Sequence, residues 1–161
     1  MNLKELVISE VKNTFRSAEK LMDLVDDNTL DWKPSTGTNW MTTSQLLHHL
    51  TDACGAPIKG FITGDWGMPE DFDPANMTPE EMLPPAEKFP TIESVEEAKK
   101  LMTEDKQLAL DMLDSCSEDD LANKTASAPW DPREVSLVNR LLEMVEHLKI
   151  HKAQLFYYLK L

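Results

Sequence analysis

Residues 135–161 read VSLVNRLLEMVEHLKIHKAQLFYYLKL. Leu137, Leu141, Met144, Val145, Leu148, Leu155 and Leu159 recur at helical spacing, so they fall on one face of an amphipathic helix. That helix is expected to run from about Val135 to Leu161. Beside its apolar face, on the flank shared with Arg140, Met144, Gln154 and Tyr158, stand His147 and His151. Residues four apart lie one turn above each other on the same side of a helix. This stretch therefore fixes two things: a helix that must bury one face, and two imidazoles at the edge of that face.

Working outward, three more segments carry the same periodicity. Leu3, Val7, Val11, Phe15, Ala18, Met22 and Val25 make one stripe, broken at Asp26-Asp27-Asn28. A second helix begins after Trp40, where Thr42, Thr43 or Ser44 can accept a hydrogen bond from the open amides of a first turn. Leu46, Leu47, Leu50, Ala53, Cys54, Ile58 and Phe61 continue it, with Pro57 and Gly60 expected to kink or shorten it. The third starts near Ser94, which with Glu97 fits a capping box, and carries Val95, Ala98, Leu101, Met102, Leu108, Ala109 and Met112. Between the second and third helices, residues 67–90 hold six of the ten prolines, Pro69, Pro74, Pro79, Pro84, Pro85 and Pro90. That composition predicts a long crossover loop, with one short helical turn opening at Thr78-Pro79-Glu80-Glu81. A second loop is expected from Ser117 to about Glu134. Four amphipathic helices hide their stripes most simply in an all-α four-helix bundle, here a single domain over residues 1–161.

Composition narrows the function. The 161 residues are 41% hydrophobic and 28% charged, as in a folded domain rather than a disordered chain. Sixteen basic residues face 29 acidic ones, for a net charge of −13. Such a surface repels phosphate backbones and anionic lipid, so neither nucleic acid nor membrane is an expected partner. The two cysteines, Cys54 and Cys116, make no disulfide framework and read as small apolar fillers. The opening MNLKELVISE lacks the layout of a signal peptide, and no apolar run is long enough to cross a bilayer. The expected setting is soluble and cytoplasmic.

The four histidines fall into two pairs, His48-His49 on the second helix and His147/His151 on the fourth. Two imidazoles at i and i+4 can grip one divalent ion, and a third nitrogen from the second helix would complete a set that leaves coordination positions open. At about 100° per residue, His49 lies beside Leu46 and Ala53 on the flank of the apolar stripe, while His48 lies further round. The spacing favours His49 by a small margin. Glu143, one turn before His147, and Asp52, three residues after His49, are candidates to orient an imidazole or to act as a base. No glycine-rich phosphate loop, GxSxG elbow or Ser/His/Asp set is present.

These motifs resemble the DinB superfamily. The family pattern of Lys/Arg-Pro, then Trp-Ser/Thr and a His-Leu further on, is matched by Trp32-Lys33-Pro34 and by Asn39-Trp40-Met41-Thr42-Thr43-Ser44-Gln45-Leu46-Leu47-His48-His49-Leu50. The C-terminal His-x3-His, followed by a small residue and Gln, is matched by His147-Leu148-Lys149-Ile150-His151-Lys152-Ala153-Gln154-Leu155. Ala153 stands where members often carry glycine. The resemblance implies that His49, His147 and His151 ligate a divalent metal, zinc or nickel, with His49 chosen over His48 because the family's histidine precedes a leucine. It further implies a metal-dependent enzyme, with characterised relatives acting as transferases or isomerases that use low-molecular-weight thiols.

Three functions follow as expectations. The first is thiol transfer to a small electrophilic substrate by a homodimeric enzyme. The second is hydrolysis at the same metal. The third is a non-catalytic helical binding or dimerisation module whose histidines are vestigial.

Overall fold

Several helices begin where a side chain takes up amides that the first turn leaves open. The computed structural model describes residues 2–68, 78 and 84–161. Helix α1 spans Leu3–Met22, with Asn2 and Glu5 forming a capping box. Helix α2 spans Thr43–Leu50 and is opened by a second box, Thr42 with Gln45. Helix α3 covers Gly55–Thr63 and ends on Gly64, whose φ of 75° is the left-handed conformation that glycine adopts most cheaply. Helix α4 is Val95–Ser115. Its cap is half of the box expected from the sequence: Ser94 accepts from the Glu97 amide, while the Glu97 carboxylate reaches past Ser94 to the amide of Glu93. A short helix α5, Glu118–Asn123, leads into a hairpin of β1, Thr125–Ala128, and β2, Asp131–Ser136. Helix α6, Leu137–Tyr158, follows directly.

The stripes pack as their spacing requires. Helix α1 lies against α4 and α6, α3 against α4, and both α2 and α3 against α6. Val7, Val11, Phe15, Leu46, Leu47, Leu50, Ile58, Met102, Leu113, Leu141 and Leu148 are fully buried in the shared core. At about 1.5–3 kcal/mol for each large apolar side chain, this burial is the main force holding the helices together. Leu159 falls outside it and is exposed.

Two expectations need correction. The second helix is not continuous. It stops at Thr51, whose amide and hydroxyl both bond to the His48 carbonyl, and resumes at Gly55. Pro57 thereby falls in the first turn of α3, where a missing N–H costs nothing. The expected loop from Ser117 to Glu134 instead holds α5 and the antiparallel hairpin, paired Thr125 to Ser136, Ala126 to Val135 and Ala128 to Asp131, with an irregularity after Ala126. The molecule is therefore mostly helical with one small sheet.

Arg140 accounts for the hairpin's position. It is 3% exposed, and donates to the carbonyls of Ala126 and Arg133 and to the carboxylates of Asp131 and Glu143. One α6 guanidinium thus ties both strands down.

Of the proline-rich stretch, Pro69, Pro74 and Pro79 lie outside the described residues, as does the expected turn at Thr78–Glu81 apart from Thr78 itself. Pro85 opens a single 3-10 turn, Ala86–Lys88. The returning chain is seated on α2: Gln45 donates to the carbonyls of Ala86 and Phe89, Ser44 Oγ bonds both backbone groups of Ile92, and Asn39 accepts from the Ala86 amide. Among the described residues no helix is long and apolar enough to cross a membrane.

Candidate metal centre

The break between α2 and α3 is where the site is built. His49 is in the last turn of α2, and Ala53 lies in the break itself. Across from them run the middle turns of α6. One ring nitrogen from each of His49, His147 and His151 comes to a common point, all within 4.8 Å of one another. The ring centroids stand 4.2 Å apart for His49 and His151, 4.7 Å for His147 and His151, and 5.2 Å for His49 and His147. The three residues singled out in the sequence are thus brought together from stretches of chain about a hundred residues apart. His48 is not among them; it points to the neighbouring cavity.

The outward nitrogens of the α6 pair are held. His147 Nδ1 lies 3.2 Å from the Ala53 carbonyl oxygen, which can only accept, so Nδ1 carries the proton. His151 Nδ1 lies 3.2 Å from Gln154 Oε1. Gln154 in turn offers its amide N–H to the Tyr158 hydroxyl, which donates to the Met41 carbonyl at 2.9 Å. This chain fixes the amide orientation and with it the His151 tautomer. Both Nε2 atoms are then bare lone pairs, and they face each other at 3.0 Å. Two lone pairs that close repel unless a cation lies between them. Nitrogens about 2.0–2.1 Å from a tetrahedral zinc ion stand roughly 3.3 Å apart, close to the 3.0 Å that separates these two Nε2 atoms.

Protonation favours ligation as well. Burial lowers the His49 pKa to about 4, helped by the neighbouring His151, His147 and His48. Burial also lowers His147, against the opposing bond to Ala53. His151 is lowered by burial and by His147, with the Gln154 bond opposing. All three are neutral near pH 7, the form that binds metal. Asp52 stands 3.7 Å from His49 Nδ1, beyond hydrogen-bond length but close enough to favour a proton on that nitrogen. Glu143, the other carboxylate considered from the sequence, is turned to Arg140 at 3.0 Å.

Sequence reasoning missed the groups that orient the rings. The Ala53 carbonyl belongs to the backbone and has no side-chain signature. Asp105 does leave one. It falls on the buried stripe of α4, Ala98, Met102, Asp105, Ala109 and Leu113, and an acid there needs partners. It finds them at the start of α3, where Cys54 provides no side-chain cap. The Asp105 carboxylate accepts from the Gly55 and Ala56 amides at 2.8 and 2.9 Å. A Cβ at position 55 would run into Asp105. Burial raises this carboxyl to about 6, and the two amide bonds pull the other way. Asp105 thus fixes the break that carries the Ala53 carbonyl. Cys54 itself is buried, with its thiol pushed up by burial and by Asp105, so it packs rather than reacts.

An open cavity of about 750 Å³ lies against the histidines, lined in part by His48, Asp52, Phe89, Met144 and two indoles, Trp66 and Trp130. Three nitrogens on one side and a cavity on the other leave room for a further ligand at an ion, the arrangement of reactive rather than closed structural sites. No curated protein matches the chain. The sequence model of the DinB superfamily matches residues 10–155, which takes in both histidine motifs and the whole site. The chain belongs to the DinB superfamily.

Proposed function

We propose that the protein is a metal-dependent enzyme in which His49, His147 and His151 hold one divalent ion, zinc or nickel, and that it transfers a low-molecular-weight thiol to a small electrophile. The observation that carries this reading is the meeting of three neutral, oriented imidazoles beside an open cavity. Nitrogen ligands suit both metals. A bound ion would supply Lewis acidity, lowering the pKa of a thiol or water so that a nucleophile exists at neutral pH. Ala53 and Gln154 keep the Nε2 lone pairs of the α6 histidines aimed at the centre. Asp52, half-exposed at the cavity and beside His49, is placed to take up or return a proton at the cavity edge.

The reading extends to the whole chain. It is one domain, a four-helix bundle in which α2 and α3 together fill one position. It works in the cytoplasm as a homodimer on small molecules, with neither nucleic acid nor membrane as partner, in keeping with the charge of −13.

Metal analysis of the purified protein, followed by a screen of electrophiles with and without added thiol, tests it. Near-stoichiometric zinc or nickel is expected, with turnover that requires thiol. Turnover without thiol would move the assignment to a hydrolase. Protein that takes up no metal would end it.

A further inference from the structure

The cavity beside the histidines differs in character from the centre itself. Its walls are Trp66, Trp130, Phe89, Met68 and Met144, and, the ligands aside, its ionisable groups are His48 and Asp52. Among the described residues no Lys or Arg lines it. A carboxylate or phosphate held against these walls would lose water without gaining a cationic side chain, so in metal-free protein the cavity disfavours an anion.

The aromatic wall is built rather than incidental. Trp66 stands edge-on to Phe61 at 4.8 Å and to Trp130 at 5.3 Å, with interplanar angles of 82° and 78°. Phe61 also meets Trp130 edge-on at 6.2 Å. Trp66 can lie against α3 only because residue 60 is glycine: a Cβ there would run into its indole. Trp130 sits at the turn of the hairpin that Arg140 clamps, and the same guanidinium lies 5.7 Å from the Phe61 centroid. Trp130 nevertheless leaves 47% of its surface open, an exposed large ring at the mouth of an apolar cavity. On the far side Phe89 stands edge-on to His49 at 5.7 Å, so the cavity runs from the indoles to the metal centre.

We propose that this cavity is a binding subsite for an uncharged planar aromatic group, which joins the edge-to-face cluster of Trp66 and Trp130 while the rest of the molecule reaches the histidines. Perpendicular rings offer one edge and one face to a third ring, the preferred geometry for aromatic packing. The proposal rests on the enzymatic reading only in taking the bound molecule for a substrate.

Two probes with one ring system separate shape from charge: 2-naphthalenemethanol and 2-naphthoate, titrated by ligand-observed NMR into the full chain, zinc-loaded and chelator-treated. In metal-free protein the alcohol is expected to bind at least about tenfold more tightly than the carboxylate, a difference of about 1.4 kcal/mol. Trp130→Ala should weaken the alcohol about fivefold or more with zinc binding retained. Gly60→Ala, which displaces the Trp66 indole from inside the protein, should do the same, so the result does not depend on one variant folding well. Equal binding of both probes to metal-free protein, or unchanged alcohol binding in both variants, overturns the subsite. Zinc uptake without alcohol binding overturns it alone. Alcohol binding that depends on Trp130, in protein that takes up no zinc, supports the subsite and removes the metal reading.

Discussion

His147 and His151 have the same job, done by different partners. A backbone carbonyl holds one and a side-chain amide the other. Losing such an outer partner typically lowers metal affinity about 10–100-fold without removing a ligand. Gln154→Leu should therefore weaken zinc binding within that range while circular dichroism stays unchanged, whereas His151→Ala should abolish tight binding. The same rings set a pH dependence. In the unfolded chain His49 takes up a proton near 6.5, in the folded chain only near about 4. Between those values the unfolded state holds more protons, so the stability of the metal-free protein falls as pH drops from 6.5 to 4. The loss from His49 reaches about 3 kcal/mol at the lower end. Denaturant unfolding of metal-free protein across this window should show the decline, and His49→Gln should make it shallower, leaving the share of His147 and His151.

At the level of elements, the apolar stripes of α1, α4 and α6 were legible because periodicity reports burial directly. The break at residues 51–54 was not, because it is set from α4 by a carboxylate fifty positions away. Asp105→Ala would leave the Gly55 and Ala56 amides without their acceptor and is expected to cost about 2–4 kcal/mol. It should also weaken zinc binding, since the Ala53 carbonyl loses its support; unfolding and metal titration of one variant check both. The hairpin was equally hidden: its strands are short, the second carries Pro132, a residue that argues against a strand, and its position comes from Arg140. Replacing Arg140 with Met would remove its bonds to the Ala126 and Arg133 carbonyls and leave Arg133 alone to hold the Asp131 carboxylate, which the two guanidiniums keep far below its ordinary pKa. Faster amide exchange confined to residues 125–136, with α1 and α4 still protected, is the expected signature.

Across the whole molecule, the function depends on two remote parts of the chain arriving at one point. The His-x3-His spacing was visible in the sequence, but any helix can carry it by chance. His49 acquires its meaning only from the packing of α2 on α6, which the stripes require and the capping box of Thr42 and Gln45 starts in register. The aromatic wall could not be read at all, because Trp66 and Trp130 lie in segments with no periodicity. The most direct measurement is a calorimetric titration of zinc into chelator-treated protein, compared with His49→Ala. One ion per chain is expected, with little proton release at pH 7 because the ligands are already neutral, and tight binding should be lost in the variant, which removes a ligand rather than an outer partner. Zinc binding of equal strength in both proteins, or none in the unaltered chain, would contradict a centre shared between α2 and α6.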